Sequence, residues 1–310
     1  MEKENFVKII ADQNPGAQIK YLGGGSDSAA YRVGDLVYRC TLKGVQIYEK
    51  EAAVCNFIRP NITAEIPDIH VTELAGGGAI SVHKMLVGDR WSWHKFMWRP
   101  RRQRNLAYSA AEFLAQLHAT DTRGLVRAVP EMAKTAPYLD FELAVPVLRP
   151  LMTARELEWF RRTYNEIVGA PVDDADIVLN HMGLKGANSV VWPDGTLRGV
   201  YDFGNAIIAE RSRDIVLFYL SRNRRLYNQM LDRYQKLTGQ SISRRRVRDL
   251  AMIEFMWSKR WYVRGNFVPR GRHALRCNLV PVLMRRYRLP SFMRPVMRLI
   301  LTVRQKIRDR

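Results

Sequence analysis

Residues 178–214 read VLNHMGLKGANSVVWPDGTLRGVYDFGNAIIAERSRD, and this stretch decides the fold of the chain. Its alternation of short apolar runs with polar and turn-forming residues predicts strands separated by loops. A Pro-Asp-Gly turn favours a hairpin between the last two strands. The predicted elements are a strand at 177–179, a polar loop at 180–188, a strand at 189–192 and a strand at 197–201.

The predicted hairpin places Asn188 and Asp202 at adjacent strand ends. Two oxygen ligands held in this way suit a hard cation such as Mg²⁺, which takes few protein oxygens and otherwise binds water and phosphate. The order H-x-x-L-K-x-x-N followed by D-F-G is also the order of the catalytic and metal loops of kinases. We therefore interpret the stretch as the centre of a phosphoryl-transfer site.

These residues resemble the aminoglycoside phosphotransferase and choline kinase family of the kinase-like superfamily. His181, Asn188, Asp202 and Asp214 match its pattern of H-x-D-x-x-x-x-N, an Asp-led metal motif and a later Asp. The resemblance implies that the γ-phosphate of ATP or GTP moves to a hydroxyl group. It also implies that Asn188 and Asp202 bind Mg²⁺, that Asp214 holds His181 in place, and that Lys185 reaches the γ-phosphate.

One position departs from that pattern. Gly183 stands where the family has its catalytic Asp, and glycine has no side chain that accepts a proton. Losing a general base typically costs about 10²–10⁴ in rate. Either a parent sequence has Asp here and this copy is disabled, which we favour because the other positions are intact, or the protein is a pseudokinase.

The first part of the chain predicts a small N-terminal lobe. Apolar runs separated by glycine turns indicate a five-stranded antiparallel sheet, with one helix at 45–58. The expected fold class is α+β with a bilobal protein-kinase-like fold, and the second lobe is mainly helical. The predicted domains are residues 1–87, which bind nucleotide, and residues 88–310, which carry the catalytic and metal loops.

Two segments of the first lobe are predicted to contact the nucleotide. Gly24, Gly25 and Ser26 belong to a glycine-rich turn whose backbone N–H groups are suited to lie over phosphates. Met85 and Val87 lie in the predicted hinge between the lobes, where an adenine would meet backbone groups. A cleft between two lobes is a usual place for a nucleotide.

A strand cation paired with a helix carboxylate holds the α- and β-phosphates in kinases. Arg39, near the end of the third strand, and Glu51, on the apolar side of the predicted helix, are assigned to this pair. Lys43 and Glu49 are the competing candidates. The alternative for Arg39 and Glu51 is a surface ion pair without function.

The net charge of +20 is concentrated near the C-terminus, where residues 241–310 contain 19 Lys and Arg but only 3 Asp and Glu. Such a field attracts anions and disfavours polycations. We therefore expect a neutral or anionic acceptor rather than an aminoglycoside. The basic helical C-terminal region is also predicted to contact an anionic membrane surface or nucleic acid. Asp140 and Glu142 are the carboxylates considered for acceptor contact.

The remaining sequence features concern the cellular compartment in which the protein is expected. No apolar run near the first residue resembles a signal peptide, and no uninterrupted apolar segment reaches the length of a membrane span. The three cysteines have no metal-ligand spacing. These features favour a cytoplasmic protein, with peripheral association at the inner membrane surface as an option.

Overall fold

The computed structural model describes residues 3–24, 28–42, 44–75, 77–92, 98–133, 138, 140–221, 223–254 and 279–308. Contacts between residues divide the chain into two compact units. Unit 1 contains residues 1–136 and 173–242, and unit 2 contains residues 137–172 and 243–310.

Unit 1 begins with a five-stranded sheet in the order β1-β2-β3-β5-β4, in which every neighbouring pair is antiparallel. This sheet confirms the predicted five-stranded antiparallel sheet. The elements are α1 (Lys3–Gln13), β1 (Ile19–Gly24), β2 (Ala29–Val33), β3 (Leu36–Thr41), α2 (Gln46–Ile58), β4 (His70–Glu73) and β5 (Ala79–Lys84).

The face of this sheet that carries Tyr31 and Ile80 is buried because the strands alternate apolar and polar residues. Phe6 and Ile10 of α1 belong to the same apolar cluster. Helix α1 was not predicted from the sequence, because its apolar positions are interspersed with charged residues over only three turns. Its apolar side chains nevertheless bury one face of the sheet.

The rest of unit 1 supports residues 178–214. Two small sheets pair β6 with β9 and β7 with β8, all antiparallel. The long helix α3 buries Leu106, Phe113 and Leu117 and packs against α8. The elements are α3 (Pro100–His118), α4 (Thr122–Ala128), β6 (Ile177–Asn180), β7 (Ser189–Val191), β8 (Leu197–Val200), β9 (Ile207–Glu210), α7 (Ser212–Leu220) and α8 (Arg224–Thr238).

The division into compact units does not coincide with the predicted domain boundary between residues 87 and 88. That boundary was predicted between two lobes, and it stays a prediction. The reason for the difference is backbone pairing across that boundary within unit 1. Glu65 forms a bridge to Gly199: its N–H donates to the Arg198 carbonyl at 2.8 Å, and its carbonyl accepts the Val200 N–H at 2.9 Å. The N-terminal sheet and the β7–β8 hairpin are therefore parts of the same unit.

Unit 2 is helical within the described residues. Its elements are α5 (Phe141–Leu148), α6 (Ala154–Val168), α9 (Arg244–Ile253), α10 at residues 279–286, and α11 (Arg294–Arg308). Thr153 and Glu156 form a capping box at the start of α6. Helix α9 ends at Ile253, and residues 255–278 lie outside the described part. No described helix has the length and apolar character that crossing a bilayer requires.

Glu156 is the polar centre of unit 2. It is almost fully buried and accepts hydrogen bonds from the Tyr287 hydroxyl at 2.6 Å and from Arg304 Nη1 at 2.8 Å. Burial alone would raise the pKa of Glu156, but these donors and the Thr153 N–H lower it overall. The carboxylate therefore joins α6 to the C-terminal helices as an ion.

Candidate active site

The loop that follows β6 is held by Asp214 from α7. One carboxylate oxygen of Asp214 accepts the His181 N–H at 2.7 Å, and the other accepts the Met182 N–H, also at 2.7 Å. His118 Nε2 lies 3.5 Å from the first oxygen. Asp214 is completely buried, so these donors replace the water that it loses on folding.

The charged form of Asp214 is favoured in the folded protein. Burial alone would raise its pKa, but the hydrogen bond and charge of His118, together with His181, outweigh that effect and lower the pKa below 3.8. His118 is itself fixed on its other side, where Nδ1 lies 2.7 Å from the Tyr234 hydroxyl. Arg211 Nη1 donates to the same hydroxyl at 3.1 Å.

Asn180 connects the strand to the helix that carries Asp214. Its side-chain amide donates to the carbonyl oxygens of Val178 and Ala209 at 2.9 and 2.8 Å, and its Oδ1 accepts the Asp214 N–H at 3.3 Å. The amide therefore bonds both strands of the β6–β9 pair. The loop starts from a point that is fixed in two directions.

His181 lies completely buried beneath the loop. Its Nε2 lies 3.2 Å from the carbonyl oxygen of Tyr201, so this nitrogen carries the proton, and its ring packs edge-on against Phe203 with centroids 4.6 Å apart. Burial lowers the pKa of His181, although Asp214 opposes the shift. Within the described residues, Nδ1 of His181 has no hydrogen-bond partner.

That nitrogen faces the space above Gly183. A Cβ atom at Gly183 would lie 3.3 Å from His181 Nδ1 and 2.9 Å from Asn188 Nδ2. The backbone at Gly183 does not adopt the positive φ that disfavours other residues, whereas the preceding Met182 does, at 61°. A side chain at 183 therefore needs a small movement of the Asn188 amide and of the His181 ring.

Asn188 and Asp202 lie at neighbouring strand ends. The Tyr201 N–H donates to the Asn188 carbonyl at 3.0 Å, so the backbone of Asp202 follows directly beside Asn188. The Asn188 amide group donates to the Gly183 carbonyl at 3.0 Å, which leaves its oxygen as an acceptor. Asp202 has a left-handed backbone with φ of 72°, and 37% of its side chain is exposed.

This donor set fits Mg²⁺ rather than a soft metal. One carboxylate and one amide oxygen are hard ligands, and Mg²⁺ completes its shell with water and phosphate. Among the described residues, no three or more His, Cys, Asp or Glu side chains lie close enough together to hold a metal ion by themselves. Asn188 and Asp202 are the residues that could hold such an ion, and their assignment as metal ligands stays a prediction.

Arg39 joins β3 to α2 and to the D-F-G turn. Its Nη1 lies 2.7 Å from Glu51, and its Nη2 lies 3.8 Å from Asp202. Glu51 is almost fully buried and also accepts the Phe203 N–H at 3.1 Å. Burial raises the pKa of Glu51, and the charge of Arg39 opposes that shift. The competing Glu49 is exposed, and Lys43 lies outside the described residues.

The other predicted nucleotide contacts are only partly described. Gly24 is exposed at the end of β1, opposite Ala29, whereas Gly25 and Ser26 lie outside the described residues. The Met85 N–H already donates to the Asp35 carbonyl at 2.7 Å, so only the Met85 carbonyl remains for a base. Val87 follows in the exposed segment after β5.

Lys185 has an exposed side chain on the loop, between Gly183 and Asn188. Its carbonyl oxygen accepts hydrogen bonds from the Asn188 N–H and the Ser189 hydroxyl, both at 2.8 Å. The main chain at Lys185 is therefore fixed although its side chain reaches solvent. Its predicted contact with the γ-phosphate stays a prediction.

The segment after the hinge covers the far end of the loop. A Cβ atom at Gly186 would overlap the carbonyl oxygen of Trp91, so only glycine fits at this crossing. The Trp91 indole N–H donates to the Ser189 hydroxyl at 2.9 Å. Sequence reasoning missed Trp91, and the only signal for it was an aromatic residue just beyond the hinge.

Sequence reasoning also missed Tyr201. Its hydroxyl donates to the Ala187 carbonyl at 2.8 Å and interacts with Arg90. Burial raises the pKa of Tyr201, although Arg90 opposes the shift. The residue before a metal-binding Asp has no distinctive pattern, so only its place beside the D-F-G motif pointed to it.

Asp140 and Glu142 have structural partners in unit 2. Asp140 caps α5 by accepting the Glu142 N–H at 3.0 Å, and Glu142 pairs with Arg161 at 2.7 Å. The structure therefore gives each carboxylate a local partner. Contact of either one with an acceptor stays a prediction.

The sheet, the anchored loop and the hairpin that ends in D-F-G define a protein of the kinase-like fold. The chain belongs to the phosphotransferase enzyme family, whose model matches residues 18–250. This confirms the predicted resemblance at the level of the family and the fold.

Solved structures agree with the fold. The GDP complex of aminoglycoside 2'-phosphotransferase-IIIa has 17% sequence identity and a TM-score of 0.69, covering 99% of this chain and 100% of that chain. The streptomycin–ATP complex of APH(2'')-IIa has 18% identity and a TM-score of 0.62, covering 83% and 91%. Macrolide 2'-phosphotransferase MphH from Brachybacterium faecium has 14% identity and a TM-score of 0.57, covering 96% and 97%. No curated protein sequence matches the chain significantly.

Proposed function

We propose that this chain binds ATP or GTP with Mg²⁺ and is built to transfer the γ-phosphate to a hydroxyl group. The observation that carries the proposal is the position of Arg39 between Glu51 and Asp202, at 2.7 and 3.8 Å. A phosphate-binding cation is thereby held beside a predicted metal ligand. Phosphoryl transfer depends mainly on such positioning of charges.

The nucleotide part of the proposal rests on the chemistry of these groups. Arg39 would contact the α- and β-phosphates, and the buried Glu51 would fix its direction. Asn188 and Asp202 would bind Mg²⁺, which neutralises the phosphate charge when bound. Related solved structures contain GDP, ADP or ATP, which supports a nucleotide as co-substrate. We place this binding in the cytoplasm, where nucleoside triphosphates are available.

The loop supplies the remaining groups. Lys185, exposed on the loop, is assigned to the γ-phosphate, and Asp214 orients the backbone on which Lys185 lies. His181 supports the loop from below and, being buried, does not reach an acceptor. An acceptor hydroxyl would approach at Gly183, where no side chain is available to take its proton.

We propose that the missing carboxylate slows transfer without preventing nucleotide binding. The alternative is a pseudokinase that binds nucleotide and acts through its basic C-terminal region. Gly183 favours that alternative, whereas the intact Arg39, Glu51 and Asp202 arrangement favours an impaired enzyme. The two are separated by restoring the carboxylate and measuring turnover.

The acceptor is proposed to be a neutral or anionic hydroxyl compound. Solved structures of related proteins include complexes with kanamycin, streptomycin and gentamicin. The excess of 19 basic over 3 acidic residues in 241–310 opposes the binding of such polycations. A panel of sugars, nucleosides and phosphorylated alcohols is therefore the first choice for acceptor screening.

Nucleotide binding is the direct test. Thermal unfolding of the full chain should shift upward with ATP or GTP when Mg²⁺ is present, because a ligand of the folded state stabilises it. Asp202→Asn should reduce the Mg²⁺-dependent part of the shift. Asp12→Asn, on the exposed side of α1, is the matched control and should leave the shift unchanged. Equal shifts with and without Mg²⁺ in the unsubstituted protein would contradict the metal assignment.

A further inference from the structure

We infer that the C-terminal helices of unit 2 form a docking surface for an anionic phospholipid membrane. This surface is independent of the proposed phosphotransferase function. It consists of an outward apolar stripe on and before α11, and of arginine side chains on α10, α11 and the residues between them. The members of the apolar stripe are Phe292, Val296, Leu299, Ile300 and Val303.

The apolar stripe lies on one side of the helix. Both Leu299 and Ile300 lie three or four residues from Val296 and from Val303, and Phe292 precedes Val296 by four residues, which is the spacing of a single helix face. They are exposed, with 76% of Phe292 and 64% of Leu299 accessible to solvent. Helix α11 therefore has more apolar surface than unit 2 covers.

A different side of α11 holds the helix on unit 2. Met297 and Leu301 are buried, and Arg304 pairs with the buried Glu156 at 2.8 Å. Tyr287 donates to the same carboxylate from the segment after α10. These contacts fix α11 on unit 2. The side chains of the apolar stripe are therefore held in one position, and the helix does not depend on them for its packing.

The positive charge of residues 279–308 selects an anionic partner. Residues 279–308 contain no Asp or Glu, while Arg294 and Arg298 are exposed on α11. An open depression of about 420 Å³ beside the start of α11 is lined by Arg285, Arg288 and Arg294 with Pro281, Met284 and Leu289. Arg285 already pairs with Asp249 of α9 at 2.5 Å. Guanidinium groups bind phosphate through two donors at once, so Arg288 and Arg294 make this depression suited to a lipid headgroup.

The combination favours a membrane over two other occupants. A second copy of the chain would bring two strongly basic surfaces together, which is electrostatically unfavourable. Nucleic acid would satisfy the arginines but would leave Val296, Leu299 and Val303 without an apolar partner. An anionic bilayer provides phosphates at its surface and acyl chains just below it.

The test uses the full chain and vesicles of two compositions. Vesicles containing one third phosphatidylglycerol in phosphatidylcholine should sediment with the protein, and pure phosphatidylcholine vesicles should bind it at least about tenfold more weakly. Phe292→Ser combined with Leu299→Ser should weaken binding to the anionic vesicles at least about tenfold. Leu143→Ser, at a residue in α5 that is 55% exposed, is the matched control and should bind as before.

A second pair of variants tests the charge. Arg294→Gln with Arg298→Gln should weaken vesicle binding and its salt dependence, whereas Arg155→Gln, on the exposed side of α6, should change little. Thermal unfolding of each variant shows whether unit 2 remains folded. Equal binding to both vesicle types would overturn the inference. So would anionic-vesicle binding that survives the Phe292 and Leu299 substitutions, or RNA binding that exceeds vesicle binding.

Discussion

Two neighbouring parts of the loop at 180–188, the backbone anchor at 180–182 and the space above Gly183, differ in how completely their polar groups are satisfied. At its start, both oxygens of Asp214 accept loop N–H groups and Asn180 bonds two strands. The adjacent Gly183 has no side chain, and His181 Nδ1, which faces the space above it, lacks a partner within the described structure. The groups that shape the loop are thus present, whereas position 183, where we propose that an acceptor approaches, has no side chain. Folding and turnover should therefore respond to different substitutions.

The largest expected effect is on turnover. Gly183→Asp should raise phosphoryl transfer or nucleotide hydrolysis by about 10²–10⁴, because it supplies a proton acceptor beside Asn188. Nucleotide affinity should stay nearly unchanged, since Arg39 and Asp202 are untouched. Steady-state assays with ATP and GTP measure both quantities.

A matched control for that substitution is Gly183→Asn, which has a similar size without a carboxylate. It tests whether the space above Gly183 tolerates a side chain next to His181. If the Asp variant folds and binds nucleotide but shows no gain over the Asn variant with any acceptor, the pseudokinase alternative is supported.

The second effect is on stability at the backbone anchor, where Asp214 holds the start of the loop. Asp214→Ala should lower the free energy of unfolding by about 3–5 kcal/mol, because two buried N–H groups and His118 lose their acceptor. Urea unfolding followed by circular dichroism measures the change. Asp12→Ala is an exposed control, and an equal loss in both variants would show that Asp214 does not anchor the loop.

The anchor should also make stability depend on pH. The folded pKa of Asp214 is below its ordinary value of 3.8, so its contribution is fully present above that value and is lost as pH falls toward the folded pKa. The difference in unfolding free energy between the unsubstituted protein and Asp214→Asn should therefore shrink below about pH 4. A constant difference from pH 7 to pH 3 would contradict this assignment.

A smaller effect is expected where Trp91 crosses the loop. Gly186→Ala should destabilise the protein by about 1–3 kcal/mol, since the new methyl group overlaps the Trp91 carbonyl and backbone must move. Gly204→Ala is the matched control because a Cβ atom there meets its nearest neighbour, Glu51, at 3.6 Å. Thermal unfolding of the two variants should differ, and similar midpoints would mean that this crossing is loosely packed.

The smallest effect concerns Tyr201. Tyr201→Phe removes the hydrogen bond to the Ala187 carbonyl and should cost about 0.5–1.5 kcal/mol of stability. Hydrogen exchange of loop amides measures whether residues 185–188 open more readily. Tyr21→Phe, at an exposed residue of β1, provides the comparison and should leave loop exchange unchanged.

Much of the fold could be predicted because it rests on local patterns. The alternation in β2 and the apolar stripe of α3 correspond to buried faces in the structure. Strand β9 was missed because Ile207 and Ile208 follow the D-F-G turn after only a few residues. Its identity depends on pairing with β6, which is distant in sequence.

The site was predictable to a similar extent and for a similar reason. Motif spacing pointed to Arg39, Glu51 and Asp202, and the structure brings these three together. The contact between His118 and Asp214 joins residues from separate helices, and no spacing along the sequence encodes it. The left-handed backbone at Asp202 was also invisible, since aspartate adopts it only where the surrounding fold requires it.

The backbone geometry at Gly183 has an evolutionary consequence. Two of the four glycine codons become an aspartate codon by a single base change, and φ of Gly183 lies outside the positive range that disfavours other residues. Where position 183 is encoded by either of those codons, one point mutation introduces a carboxylate at the position where we propose that the acceptor approaches. The new side chain has to displace only the Asn188 amide and the His181 ring, so a laboratory selection on an acceptor should recover that codon change first.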